Sequence, residues 1–351
     1  MTTPDLSAST DPAALAMHLM EVDSTSGSEQ AVMERMSALL TSRGWRPTSI
    51  AVDADRHDLI ATSEPSPTVT LCTHLDTVPP FIPPTRTGGR LTGRGACDAK
   101  GIAASMLLAA ERLRDAGHAV GLLFVVGEET CHDGAIAANA WAAANLPAAP
   151  RVLINGEPTE STLALGTKGA LRCVVRVSGE AAHSAYPQLG RSATRELVRL
   201  LARLDSLELP RDHMLGETTI NIGSIAGGVA DNVVAPSAEA RLMVRLVTPA
   251  EEIAELMRDW AQDAELEIGI VVPPVRLATL PGLPTSVAAF ATDIPELGNW
   301  GTPYLYGPGS IHVAHTDHEF VDEGELRRAV EAYAAIAEGA LENLPRQVAV
   351  S

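Results

Sequence analysis

Histidine and carboxylate side chains recur in this sequence where short apolar runs end. The β-branched run 68–73 leads into His74-Leu75-Asp76. Two residues apart on an extended backbone, His74 and Asp76 point to the same side. One can then ligate a cation while the other accepts its remaining ring N–H, which fixes the tautomer and raises the basicity of a metal-bound imidazole. Taken alone, a His-x-Asp pair also suits an ordinary surface strand end. The apolar run 122–126 opens onto Gly127-Glu128-Glu129-Thr130, where adjacent acids repel unless a cation or a shared proton relieves them. The run 152–154 leads to Asn155-Gly156-Glu157-Pro158, the same design with one more carboxylate. Between them a glycine-flanked turn, 93–101, puts Asp98 at the start of a helix. Asp98 could cap that helix, or its two oxygens could bridge two cations about 3.5–4 Å apart. The run 306–319 follows a Gly-Pro-Gly turn with His312, His315, His318 and several acids, one of whose histidines closes the site. Nitrogen and oxygen donors without thiolates suit zinc, cobalt or manganese, and mixed sets with an open position mark a catalytic metal.

The elements that must position these groups alternate. Apolar strands at 68–73, 122–126 and 152–154 are separated by Ala/Leu-rich helices at 101–114 and 134–144. Buried strands alternating with helices define an α/β fold with a mostly parallel sheet covered on both faces, and ligands of such sheets sit at the carboxyl ends of the strands. Upstream, Ser26 and Glu29 form a capping-box pattern for a helix through Met33, Met36 and Leu40 that stops near Gly44. After Gly166 the rhythm becomes strand 170–177, helix 192–204, strands 218–222 and 238–246, helix 249–261 and strand 266–271. That order, βαββαβ, predicts an inserted α+β ferredoxin-like module. Thr248, Pro249 and Glu251 supply its second helix with a cap, a first-turn proline and a returning carboxylate. The predicted domains are therefore 1–168, an insert over 169–273, and a return over 274–351.

Composition narrows the partners. With 46% hydrophobic residues in 351, the chain can bury a large core, yet only 3% are aromatic. A formal charge of −18 repels phosphate backbones and anionic lipid surfaces, so neither nucleic acid nor a membrane is expected as a partner. Residues 1–12 are polar and lack the basic start and apolar run of a secretory leader, and no run reaches the roughly 18 apolar residues of a membrane helix. Cys72, Cys97, Cys131 and Cys173 lack CxxC spacing, which argues against a disulfide framework and for a reducing, cytoplasmic setting.

At this point the sequence resembles the co-catalytic metallopeptidases that include acetylornithine deacetylase, succinyl-diaminopimelate desuccinylase, aminoacylase and glutamate carboxypeptidases. Six motifs carry the likeness in order: THLDT at 73–77, GRGACDAKG at 93–101, GEET at 127–130, GEPT at 156–159, AAHSAYP at 181–187 and YGPGSIHVAHT at 306–316. The resemblance implies two divalent cations, zinc first with cobalt or manganese as alternatives. His74, Asp98 and Glu157 would hold one, and Asp98, Glu129 and His315 the other. It implies Asp76 as the partner of His74 and Glu128 as general base on a water between the metals. His312 and His318 are left as surface residues. In the insert it implies that His183 reaches the scissile carbonyl across a homodimer, and that Asn232 and Arg245 contact substrate; a guanidinium suits a free carboxylate because it can grip both oxygens. Glu rather than Asp at 157 resembles the deacylases and carboxypeptidases of the family. The expected substrate is an N-acyl amino acid such as N-acetylornithine or N-succinyl-diaminopimelate. A carboxypeptidase or dipeptidase of the same family is the alternative, and a silent metal-binding relative the non-enzymatic one. The family's extra helix before the Gly-Pro-Gly turn has little room here, where only 273–301 spans the gap.

Overall fold

Asp11 sets the start of the first helix, α1 (Pro12–Met20): its carboxylate accepts from the Ala13 N–H at 3.3 Å, and proline fills the first helical position, where no N–H is needed. A computed structural model describes residues 5–344. The reading of 1–12 as lacking a leader therefore falls in part, at residues 1–4, outside the described residues. In chain order there follow α2 (Gln30–Ser42), β1 (Pro47–Ala51), β2 (His57–Thr62), β3 (Val69–His74), α3 (Lys100–Asp115), β4 (Val120–Val125), α4 (Asp133–Asn145) and β5 (Val152–Asn155). Next come β6 (Gly169–Ser178), α5 (Ala193–Ala202), β7 (Thr219–Gly227), β8 (Ser237–Leu246), α6 (Ala250–Ala261) and β9 (Glu265–Val272). The chain closes with β10 (Thr302–Leu305) and α7 (Glu323–Glu342), with shorter strands and turns between. It divides into two compact units, one holding residues up to 165 with 277–286 and 296 onward, the other holding 166–276 with 287–295.

The first unit is built on a six-stranded sheet in the order β1-β2-β4-β3-β5-β10. The four strands from β4 to β10 run parallel, and β1 and β2 add an antiparallel edge. Because successive residues of a strand face opposite ways, each apolar run feeds two cores. Leu71, Leu122, Phe124 and Ile154 join the layer of α1, α2, α3 and α7. Cys72, Leu123, Val125 and Leu153 join Ala135, Ala138 and Ala142 of α4 on the other face, where Trp300 is fully buried and stacks on Trp141 at 6.1 Å. Burial on both faces explains why these strands read as continuous apolar runs rather than alternating ones. The segment 273–301 contains short strands and 3-10 turns and no α-helix.

The second unit has the predicted βαββαβ order, with sheet order β7-β8-β6-β9 and every neighbour antiparallel, the ferredoxin-like arrangement. Alternate residues Leu171, Cys173, Val175 and Val177 of β6 and Ala240, Leu242, Val244 and Leu246 of β8 pack on α5 and α6, and the Trp260 indole donates to the Leu200 carbonyl at 3.2 Å.

Three helix starts differ from the sequence reading. Glu29 itself occupies the cap position of α2 and makes no capping bond, while the Ser26 hydroxyl is drawn off to Asp76, 2.7 Å away. Ala99, not Asp98, stands at the cap of α3. α6 begins at Ala250 with Pro249 at its cap and no side-chain bond from Thr248.

Candidate metal centre

The carboxyl ends of β3, β4, β5 and β10 share one edge of the parallel sheet, and the loops that leave them carry the predicted groups. His74 ends β3, pairs in register with Val125 of β4, and is 1% exposed. Its Nε2 lies 3.1 Å from Asp98 Oδ1 and 3.9 Å from Glu157 Oε2. His315 Nε2 lies 3.2 Å from Asp98 Oδ2 and 3.0 Å from Glu129 Oε1. Asp98 thus turns one oxygen to each histidine. The ligand atoms of His74, Asp98 and Glu129 fall within 4.8 Å of one another. Two imidazoles and three carboxylates with no thiolate are the donor set of a catalytic divalent-metal site, and the residues present fit that group. His312 and His318 are exposed, and all four cysteines are free thiols.

Asp76 acts more broadly than the sequence suggests. His74 Nδ1 is 3.0 Å from the Asp76 carbonyl oxygen and 3.4 Å from its carboxylate. Both are acceptors, so a ring that gives Nε2 to a cation keeps its remaining proton on Nδ1. The Asp76 carboxylate also accepts from the backbone N–H groups of Glu128 and Glu129, each at 3.2 Å, and from the Ser26 hydroxyl. One fully buried carboxylate therefore holds the histidine and shapes the loop that presents both glutamates. That loop turns at Gly127, with φ of +73° and so little room that a Cβ would lie 2.2 Å from Asp133 Oδ1. His315 is itself held at φ +63°, a left-handed conformation that histidine tolerates better than β-branched residues. The Asp98–Ala99 peptide is cis.

Electrostatics mark the centre as starved of positive charge. Burial works against the charged form of His74, but hydrogen bonds to Asp76 and Asp98 and the charges of Glu157 and Glu128 outweigh it and raise its pKa well above the usual imidazole range. Hydrogen bonds to Asp98 and Glu129 push His315 up to about 10. Burial and the neighbouring Asp98 charge raise Glu129. Asp98 is driven down despite its burial because both histidines bond to it. Metal-free, the acids are balanced by imidazolium protons, and a divalent cation would take over that role.

The remaining predicted residues lie in the second unit. His183 and Asn232 are exposed neighbours: the Ser184 N–H donates to the Asn232 carbonyl at 2.9 Å, and His183 pairs with Val233. The Ala185 N–H donates to His183 Nδ1 at 3.1 Å, so the neutral ring keeps a donor at Nε2. Arg245 is half-buried on β8, in register with Thr219 and Ala170. Sequence reasoning read Ser26 only as a helix cap and assigned no role to Arg94 or Glu319, yet the structure puts all three around the centre. Arg94 lies inside the motif at 93–101 and Glu319 three residues beyond the one at 306–316, and no sequence signal pairs them.

The profile of peptidase family M20/M25/M40 matches residues 70–339. A peptidase M20 domain-containing protein of Schizosaccharomyces pombe is 37% identical, over 90% of this chain and 81% of its own. A protein of Paracoccidioides brasiliensis named "probable carboxypeptidase" is 36% identical, over 97% of this chain and 88% of its own. Among solved structures, a tripeptidase of Staphylococcus aureus superposes with a TM-score of 0.76 at 20% identity, covering 94% of this chain and 98% of that one. An M20 family metallo-carboxypeptidase of Sulfolobus solfataricus gives 0.75 at 15% identity, covering 94% and 99%. At those identities the two structures speak for the fold. The chain belongs to peptidase family M20/M25/M40, the co-catalytic metallopeptidases, and is a metal-dependent hydrolase. No helix among the described residues is long and apolar enough to cross a membrane.

Proposed function

We propose that this protein is a carboxypeptidase that hydrolyses the amide bond of short peptides and releases a C-terminal amino acid. The observation that carries the hydrolytic centre is Asp98, with Oδ1 on His74 and Oδ2 on His315. The name "probable carboxypeptidase" that these relatives carry supports the reading of a peptide substrate. That reverses the order of the two substrate readings drawn from sequence and puts the N-acyl amino acid deacylase second.

In this reading His74, Asp98 and Glu157 would hold one divalent cation, zinc before cobalt or manganese, and Asp98, Glu129 and His315 the other. Such ions supply Lewis acidity at the carbonyl and lower the pKa of water. Glu128 takes the proton of the attacking water and returns it to the amine nitrogen as the C–N bond breaks, one group serving as base and then acid. Asp76 keeps Glu128 in place through its backbone bond. His183 of a second copy, with its proton on Nε2, would donate across the homodimer to the oxygen that gains charge in the tetrahedral transition state. Arg245 grips the terminal carboxylate, and Asn232 orients the substrate beside it.

Homodimerisation through the second unit belongs to the same proposal. It is supported by β7, an edge strand with nearly every residue exposed, including Ile225 at 57%, since unpaired strand edges invite pairing. The experiment is a metal-replete panel of dipeptides, their C-terminal amides, and N-acetyl and N-succinyl amino acids, read by mass spectrometry. Free C-terminal amino acids from dipeptides, with the amides resistant, are expected. Release of acetate or succinate with intact dipeptides would give the deacylase reading instead.

A further inference from the structure

The two chain segments that meet on Asp98 and His315 are joined beneath the centre by an ion pair. Arg94 Nη1 lies 2.7 Å from Glu319 Oε2, and the two side chains are 2% and 0% exposed. Both partners reach the ligand segments. The other oxygen of Glu319, Oε1, accepts from the backbone N–H groups of Cys97 and Asp98, each at 3.2 Å. Arg94 Nη1 also donates to the carbonyl of Thr316 at 3.2 Å, the residue after His315. Arg94 lies on the Asp98 turn and bonds to the His315 segment, while Glu319 lies beyond His315 and bonds to the Asp98 turn. The main chain adds one more tie, Gly93 N–H to the Glu319 carbonyl at 3.0 Å.

Burying two charges is costly, and replacing such a pair by apolar side chains of similar volume is often neutral for stability. Packing alone therefore gives no reason for a charged pair at this position. Its bonds do, because they run to the backbone on either side of the carboxylate and imidazole that face each other at 3.2 Å. We propose that Arg94 and Glu319 are positioning residues which fix the separation of Asp98 and His315, and so set the affinity of the site these ligands share. Partners of this kind behind a metal ligand typically contribute about 10–100-fold in affinity.

The inference rests on Asp98 and His315 being metal ligands, so the experiment separates the two claims. Zinc affinity is measured by competition with a chromophoric chelator on the monodisperse fraction of the full chain, for the wild type, Asp98→Asn, the double variant Arg94→Met/Glu319→Leu, and Glu319→Gln. Zinc binding by the wild type that Asp98→Asn removes establishes the site. The folded double variant is expected to bind about 10–100-fold more weakly, with Glu319→Gln between it and the wild type because it keeps one oxygen facing the two amides. If the double variant does not fold, Glu319→Gln decides. Wild-type affinity in either folded variant overturns the proposal while leaving the metal centre intact; equal zinc binding by the wild type and Asp98→Asn overturns the centre itself.

Discussion

Replacing Asp76 by Asn changes almost no volume and isolates the work of one carboxylate. In the wild type Oδ1 accepts from the Glu128 N–H, and Oδ2 from the Glu129 N–H and the Ser26 hydroxyl. An amide offers one acceptor oxygen and one NH2 donor. If the NH2 takes the Oδ2 side, the Ser26 hydroxyl can rotate to accept, but the Glu129 N–H faces a donor; if it takes the Oδ1 side, the Glu128 N–H does. Either way one backbone N–H loses its acceptor, at a cost of about 1–3 kcal/mol. Local opening of 127–131 then becomes about 5–150-fold more frequent. Amide hydrogen exchange of metal-free protein reads this directly and, unlike a melting curve, does not assume that two compact units unfold together. Peptides covering 127–131 in Asp76→Asn should exchange faster by that factor, and peptides from α5 in the second unit should not change. Equal protection of 127–131 in wild type and variant would refute the argument that Asp76 shapes this loop.

Glu128→Gln should keep its metal content and fold while turnover falls by about two to four powers of ten, checked by elemental analysis alongside peptide hydrolysis; full activity would remove Glu128 from the mechanism. His315, raised to about 10, is protonated in the metal-free protein at pH 7.5, so zinc uptake must expel protons. Calorimetry in buffers of different ionisation enthalpy should show net proton release, and none would contradict the charge balance drawn above. The same sign governs stability without metal: a pKa raised in the folded state gives a contribution that is full below about 6.5 and is lost as the pH rises through about 10. Arg245→Met should raise KM for dipeptides more than it lowers kcat; an unchanged KM would place the substrate carboxylate elsewhere.

The frame of the site was legible because burial on both faces leaves an unbroken apolar run. The strands that deliver His74, the Glu128–Glu129 pair and Glu157 announce themselves that way. The second unit was legible for a different reason: β6 and β8 alternate, α5 and α6 follow helical spacing, and the order of these elements allows few topologies. Local chemistry misled where a distant partner won. Ser26 looks like a helix cap, but a buried carboxylate fifty residues on binds its hydroxyl instead. At Asp98 the cap role is ceded to Ala99, and the carboxylate is spent on two histidines. α1 shows no helical period, because PAALAMHLM is apolar almost all round, although Asp11 and Pro12 are a start signal. Arg94 and Glu319 could not be paired from sequence, since 225 residues separate them and neither sits in a periodic pattern.

The claim beneath all of this is that His74, Asp98, Glu129, Glu157 and His315 hold a pair of divalent ions. Anomalous diffraction at the zinc edge from crystals grown with zinc tests it most directly. Two peaks, one beside each oxygen of Asp98, are predicted; a single peak that Asp98 does not touch, or zinc bound only at surface histidines such as His312 and His318, would contradict it.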